Sequence, residues 1–250
     1  MANCSYVIDD YTRIPLVLNG MKGFKRPTAN FSSMPFPSSF MIPQTEWQAR
    51  IQERQERKNG LHDLVLEKGL TVLDQGQTNY CWCNGVVYSV MCHILSNQNR
   101  IVRLSPASAA AQIKNYQNEG GWGDEALEFI ETRGLATQDL WPPNAISRQY
   151  KTASTDQAML DYRVPKWIDL EPRNHNQVVS LLLRNIPVAV GFNWWGHLVS
   201  AIDVEWKNGT AVIVIANSWG QGWGDKGYGI LEGNRMLADG AVAPLSVINA

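Results

Sequence analysis

The stretch over residues 81–95 constrains this chain most. Val86, Val87, Val90, Met91, Ile94 and Leu95 place apolar groups around most of a helical circumference. A helix of that kind has to be enclosed, so the rest of the chain must wrap it. Further helices are predicted nearby. Ser105-Pro106 supplies an N-cap and a first helical residue for a helix to about Tyr116. Gly120-Gly121-Trp122-Gly123 reads as a turn, after which Asp124 is expected to cap a helix over 125–133, ended by Gly134. Residues 176–184 read as another.

The character then changes. Residues 187–192, 198–206, 211–216 and 228–231 are strand-like and rich in Val and Ile, and Asn208-Gly209 is a hairpin signal between two of them. The hairpin also explains Asn208-Gly209-Thr210 better than a glycosylation acceptor does. A helical front half and a β back half predict an α+β fold with two lobes and a cleft between them. The helical lobe is expected over about 72–160 and the β lobe over about 161–250, within a domain covering 41–250.

Residues 1–40 read as an extension. Pro27, Pro35, Pro37 and Pro43 exclude a helix there and predict an extended segment lying on a surface. Residues 46–58 are polar and charged, which predicts a short solvated helix ended by Asn59-Gly60. That helix reads as a connector; the functional alternative is an inhibitory or docking role. Net charge is −1 with a pI near 6.4, so bulk charge recruits neither nucleic acid nor an anionic membrane. No apolar run reaches transmembrane length and no secretory signal is visible at the start of the chain. Cys81 and Cys83 stand too close for a disulfide staple at a helix start, so Cys4, Cys81, Cys83 and Cys92 are expected to be reduced thiols. These readings predict an intracellular, cytoplasmic protein or one associated with a larger particle.

Four residue types for acyl-transfer chemistry occur in order. Gln75-Gly76 precedes Cys81-Trp82; far downstream come Gly196-His197 and Asn217-Ser218-Trp219-Gly220. A thiolate is the competent nucleophile, and a helix N-terminus or an imidazolium lowers its pKa. Cys81 falls where a turn enters the buried helix. His197 would serve as base, Asn217 would orient it, and Gln75 with the Cys81 backbone N–H would donate to an oxyanion. Cys83, two residues on, is expected to pack in the core. A Cys-x-Cys without a second ligand pair predicts no zinc site.

These motifs resemble the papain-like cysteine peptidases, over roughly residues 42–235. The twelve residues from Asn217 to Tyr228, Asn-Ser-Trp-Gly-Gln-Gly-Trp-Gly-Asp-Lys-Gly-Tyr, match the family pattern throughout. Leu104-Ser105-Pro106 resembles the family's second helix start, and Ile42-Pro43 with Trp47 its mature N-terminal strand. The resemblance implies that Gly120 and Gly121 bind extended substrate and that Trp219 shields the His–Asn hydrogen bond. It implies that Trp122, Gly191, Trp195 and Leu198 line the main specificity pocket, fit for an apolar or aromatic side chain. The departures are specific. Thr78 stands where the family has a disulfide cysteine, and the partner position falls near Asn118. Asn79-Tyr80 replaces a Gly-Ser pair; Asn79 is expected to take a left-handed backbone and Tyr80 to narrow the leaving-group side. The loop before His197 is short.

The leading expectation is a cysteine endopeptidase acting on polypeptide through an acyl-enzyme, without metal or organic cofactor. The same residues would also serve a deamidase, a transglutaminase-like enzyme or an isopeptidase. A third possibility is a papain-fold docking component of a larger assembly such as a virus particle, with residues 1–40 as the arm that meets its partner.

Overall fold

The computed structural model describes residues 4–12, 23–24, 31 and 33–248, and the predicted central helix is enclosed by the rest of them. In chain order the elements are β1 (Val7–Ile8), α1 (Gln44–Arg57), α2 (Leu61–Lys68), α3 (Cys81–Gln98), α4 (Ala107–Ile113), α5 (Gly123–Arg133), α6 (Ala153–Met159), β2 (Lys166–Leu170), α7 (His175–Leu182), β3 (Val188–Phe192), β4 (His197–Lys207), β5 (Thr210–Ala216), β6 (Tyr228–Leu231) and β7 (Gly240–Ser246). Every residue of α3 from Cys81 to Leu95 is buried. The helix packs on β3, β4 and β7 on one side and on α2, α4 and α5 on the other. Asn99 ends it in the left-handed region, where its N–H reaches the Leu95 carbonyl.

The strands form one sheet in the order β1-β6-β5-β4-β3-β7-β2. All neighbours are antiparallel except β1, which runs parallel to β6. Lys207 pairs with Thr210 across a two-residue turn in which Asn208 and Gly209 both have positive φ (50° and 78°). That backbone suits the twist of the hairpin, and Asn-Gly adopts it readily. Val and Ile from both faces of the sheet build two cores. One surrounds α3; the other lies under α1 and α7 and includes Trp47, Ile51, Val179 and Leu182. Helices α3 to α6 gather on one side and the sheet on the other, which is the expected α+β arrangement in two lobes. Among the described residues, no helix is long and apolar enough to cross a membrane.

Several local expectations change. Asp124 is a first-turn residue of α5, and Trp122 holds the N-cap position, where its side chain does not cap the helix. Ile42 and Pro43 form no ladder strand; Pro43 is the residue before α1, and Trp47 lies inside that helix with its indole N–H donating to the Ile42 carbonyl (3.0 Å). Pro27 lies outside the described residues. Residues 33–40 do lie along the surface. Met34 N–H donates to the Trp167 carbonyl (3.0 Å), and Arg184 donates to the carbonyls of Ser39 and Phe40.

Candidate active site

Cys81 is the first residue of α3, fully buried, delivered by a tight turn over 74–80. Gly76 has φ +53°, and its N–H donates to Asp74 Oδ1 (2.9 Å). Thr78 N–H and Oγ1 both donate to the Gln75 carbonyl. Gly76, not Asn79, carries the left-handed conformation of the turn. Burial pushes the Cys81 thiol up to about 11, against the pull of the N–H groups of Leu198, Gly23, Trp82 and Cys81 itself. The helix N-terminus also favours negative charge at this sulfur.

His197 opens β4 and faces Phe192 across the β3–β4 hairpin. Gly196, at φ +63°, closes that hairpin with its N–H on the Phe192 carbonyl (2.8 Å). His197 Nε2 lies 2.7 Å from Asn217 Oδ1. The same oxygen accepts the Ser218 N–H (2.8 Å), which marks it as the amide's acceptor end. Nε2 therefore carries the proton, and Nδ1, without a partner among the described residues, is the basic nitrogen. Burial pushes the His197 pKa down to about 4, opposed by the bond to Asn217. Trp219 lies over the imidazole (ring centroids 4.7 Å apart, planes 31° apart), and Trp195 meets it edge-on at 5.0 Å.

Gln75 is fully buried and tied to the other lobe. Its Oε1 accepts from Ser218 Oγ (2.6 Å), and its N–H donates to the Ser218 carbonyl (2.8 Å). One N–H of its amide donates to the Thr78 carbonyl (2.8 Å), which leaves the second for a ligand. Ser218 thus links the Gln75 loop to Asn217, the hydrogen-bond partner of His197, a tie the motif alone did not assign.

The glycine pair is occupied. Gly121 N–H donates to the Gly23 carbonyl (2.5 Å), and Phe24 bridges Gly121 in parallel. Phe24 stacks on Trp122 (centroids 4.0 Å apart, planes 23° apart), and a Cβ on Gly191 would fall on its ring. A Cβ on Gly23 would collide with the Asn79 carbonyl and stand 3.0 Å from Cys81 Sγ. Trp122, Gly191, Gly120 and Gly121 therefore surround residues 23–24. Leu198 is buried between α3 and α5, facing Gly85 and Gly123, with its N–H toward the Cys81 sulfur. Trp195 stands apart from Phe24, buried among His197, Trp219 and Trp223.

The sequence profile described as papain family cysteine protease matches residues 67–199. The chain belongs to the papain family of cysteine proteases. Its relatives in the family include cathepsin K of Gallus gallus, 25% identical over 187 residues, covering 65% of this chain and 55% of the relative. Oryzain beta chain of Oryza sativa subsp. japonica is 24% identical over 243 residues, covering 85% and 52%. The chain spans about half the length of the curated relatives it matches. Among solved structures, digestive procathepsin L 3 of the Tenebrio molitor larval midgut superposes with a TM-score of 0.66 at 21% identity, covering 90% of this chain and 76% of that one. A structure from work on the mite allergens Blo t 1 and Der p 1 gives 0.65 at 16% identity, covering 96% and 85%. These likenesses show the papain-like two-lobe α+β fold.

Two departures from the family pattern take a different form from that expected. Tyr80 points away from the cleft; it is fully buried, with its hydroxyl donating to the Gln117 carbonyl (2.7 Å). The four cysteines are buried and free, and Asn118 bonds to residues 77 and 79 beside Thr78. Cys83 packs in the core with its sulfur near the Pro106 carbonyl. Among the described residues no group of three His, Cys, Asp or Glu side chains is arranged to hold a metal ion.

Proposed function

We propose that this papain-family protein is a cysteine peptidase that cleaves extended polypeptide through Cys81, His197, Asn217 and Gln75. The observation that carries the reading is the His197–Asn217 bond. It commits Nε2 and leaves Nδ1, without a partner among the described residues, to act as base, while the next residue, Leu198, directs its N–H at the Cys81 sulfur. In acylation, Cys81 Sγ bonds to the substrate carbonyl carbon and its proton passes to His197 Nδ1. The Gln75 amide and the Cys81 N–H stabilise the oxyanion. His197 then gives that proton to the leaving amine as the C–N bond breaks. In deacylation, water loses a proton to His197 and attacks the thioester; the carboxylic acid leaves and the thiol returns. Gly121 already takes a main-chain carbonyl, which favours an extended peptide over an isolated side-chain amide.

In the state described here the site is closed by residues 23–24. The Gly23 carbonyl is held by Gly121 and not by the oxyanion donors, while its N–H faces the sulfur.

The test is labelling with a peptidyl vinyl sulfone at neutral pH, read by peptide mass spectrometry. Phe24→Ala is expected to label rapidly at Cys81 and to spare Cys4, Cys83 and Cys92, whose thiols burial also pushes up. Adding His197→Ala is expected to slow labelling about 100-fold or more. Labelling that ignores His197, or that falls on another cysteine, would sink the assignment.

A further inference from the structure

Residues 114–121 run from the end of α4 to the glycine pair with no helix or ladder strand to hold them. Asn115 and Tyr116 both have positive φ (46° and 62°), so the segment begins in a backbone that non-glycine residues enter reluctantly. Yet this segment sets where Gly121 N–H points. Arg148 holds its start, through Asn115 Oδ1 (3.2 Å) and the Tyr116 ring, and residues flanking the nucleophile hold residues 117–119. Three successive carbonyls are each taken by one side chain: Gln117 by Tyr80 Oη (2.7 Å), Asn118 by Asn79 Nδ2 (2.9 Å) and Glu119 by Trp82 Nε1 (3.3 Å). Asn118 answers in the other direction. Its Oδ1 accepts the Asn79 backbone N–H (2.6 Å), and its Nδ2 donates to the Gln77 carbonyl (3.1 Å).

We propose that Asn79, Tyr80 and Asn118 form a non-covalent staple whose task is to position the substrate-binding strand at Gly121 relative to Cys81. The three departures from the family pattern then have one cause. Where relatives of the papain type place a disulfide between the position of Thr78 and the neighbourhood of Asn118, this chain places amide hydrogen bonds one residue to either side. Asn79 and Tyr80 replace small residues because their side chains are the ties. The geometry of the strand is thereby independent of thiol oxidation, in a chain whose cysteines are all free. These are positioning residues, since their side chains bond to residues 77, 79, 117 and 118 and not to the side chains of Cys81, His197 or Asn217.

The inference rests on the peptidase reading for its kinetic arm, and a second arm stands without it. In full-length Phe24→Ala protein, kcat and KM would be measured on a fluorogenic peptide carrying an aromatic side chain, with Asn118→Ala, Asn118→Asp and Tyr80→Phe added singly. Asn118→Ala removes two hydrogen bonds and is expected to raise KM about 5–10-fold with kcat within about twofold. Asn118→Asp keeps the acceptor for Asn79 N–H and should recover part of that loss. Alkylation of Cys81 by iodoacetamide, which does not use the strand, should keep its rate. Hydrogen exchange by mass spectrometry should rise over 117–121 and stay unchanged in α3 and the sheet. A uniform rise in exchange, or an unchanged KM and unchanged exchange over 117–121, overturns the staple. If no variant hydrolyses peptide, the peptidase reading fails, and local exchange with Cys81 alkylation still decides the staple.

Discussion

Phe24 is the residue on which the closed state turns. Its ring is half-buried between Trp122 and Gly191, where stacking and apolar burial together contribute about 1–2 kcal/mol. Removing the ring is therefore expected to open the site roughly tenfold more often, read as a faster Cys81 alkylation rate in Phe24→Ala. Gly191→Ala separates blocking from binding. A Cβ there would evict Phe24 and also close the pocket to a substrate ring, while the backbone has no positive φ that requires glycine. Alkylation by a small reagent should rise and hydrolysis of an aromatic peptide should stay low. If both rise together, the pocket is not where the substrate ring sits. The pH profile follows the same logic. Under the occupant, burial holds the Cys81 thiol at about 11, so alkylation of the wild-type chain should climb only as pH approaches that value. Opening the site returns solvent to the sulfur and moves the rise to lower pH in Phe24→Ala.

Asp203 shows how the elements around the cleft are kept in register. It sits on β4 at an irregularity in the pairing with β5. Oδ1 pairs with Arg54 Nη2 of α1 (3.0 Å), and Oδ2 accepts the His62 N–H at the start of α2 (3.0 Å). Gly60 makes room for it, since a Cβ there would collide with Oδ2. Arg54 also donates to the carbonyl of Leu182, the last residue of α7, and to Asn185 Oδ1. Asp203→Ala leaves a largely buried guanidinium without its partner, so a loss of about 3–5 kcal/mol in urea unfolding is expected. A change below about 1 kcal/mol would mean that water replaces the carboxylate. This tie is silent in the sequence, because Asp203 lies within a run that reads as an ordinary strand. The same difference between local and distant information decides what else was legible. α3 shows in its apolar circumference and the β4–β5 hairpin in Asn208-Gly209, because both signals are local. β7 escapes pattern reading because its Gly240 and Pro244 argue against a strand, and Pro244 is accommodated where β2 slips register at Lys166/Trp167. β1 is two residues long and exists only by pairing with β6. Gln75, Cys81, His197 and Asn217 stand out because each sits in a dense local motif. Gly23 and Phe24 carry no such signal, and their place in the cleft depends on contacts with Asn79, Cys81, Gly121, Trp122 and Gly191, all distant in the chain.

The four histidines make the whole molecule sensitive to acid. Burial lowers the pKa of His62, His93, His175 and His197, with His93 and His197 brought to about 4. Each is held neutral in the folded state and takes up its proton more readily when unfolded. Between the unfolded value near 6.5 and about 4, the unfolded chain binds more protons, so stability rises with pH across that window and is lost as pH falls through it. For His93 and His197 the swing is on the order of 3 kcal/mol each by the time pH has dropped below 4. Glu205 acts in the opposite sense. Burial, with Asp203 nearby, raises its carboxyl to about 7, so the folded state favours the protonated acid and loses that contribution as pH climbs from about 4.5 through 7. The histidines outnumber it, so urea midpoints should fall steadily from pH 6.5 to pH 4. His93 is the residue that tests this cleanly, since it lies inside α3 and takes no part in the proposed chemistry. His93→Gln removes one titrating group and should flatten the acid limb while leaving the midpoint near pH 7 within about 1 kcal/mol of the parent. Glu205→Gln should raise the midpoint above pH 7 and leave the acid limb steeper. A wild-type midpoint that is flat between pH 4 and 6.5 would mean that the buried imidazoles are solvated in the folded state, and the closed packing around His197 would have to be redrawn with them.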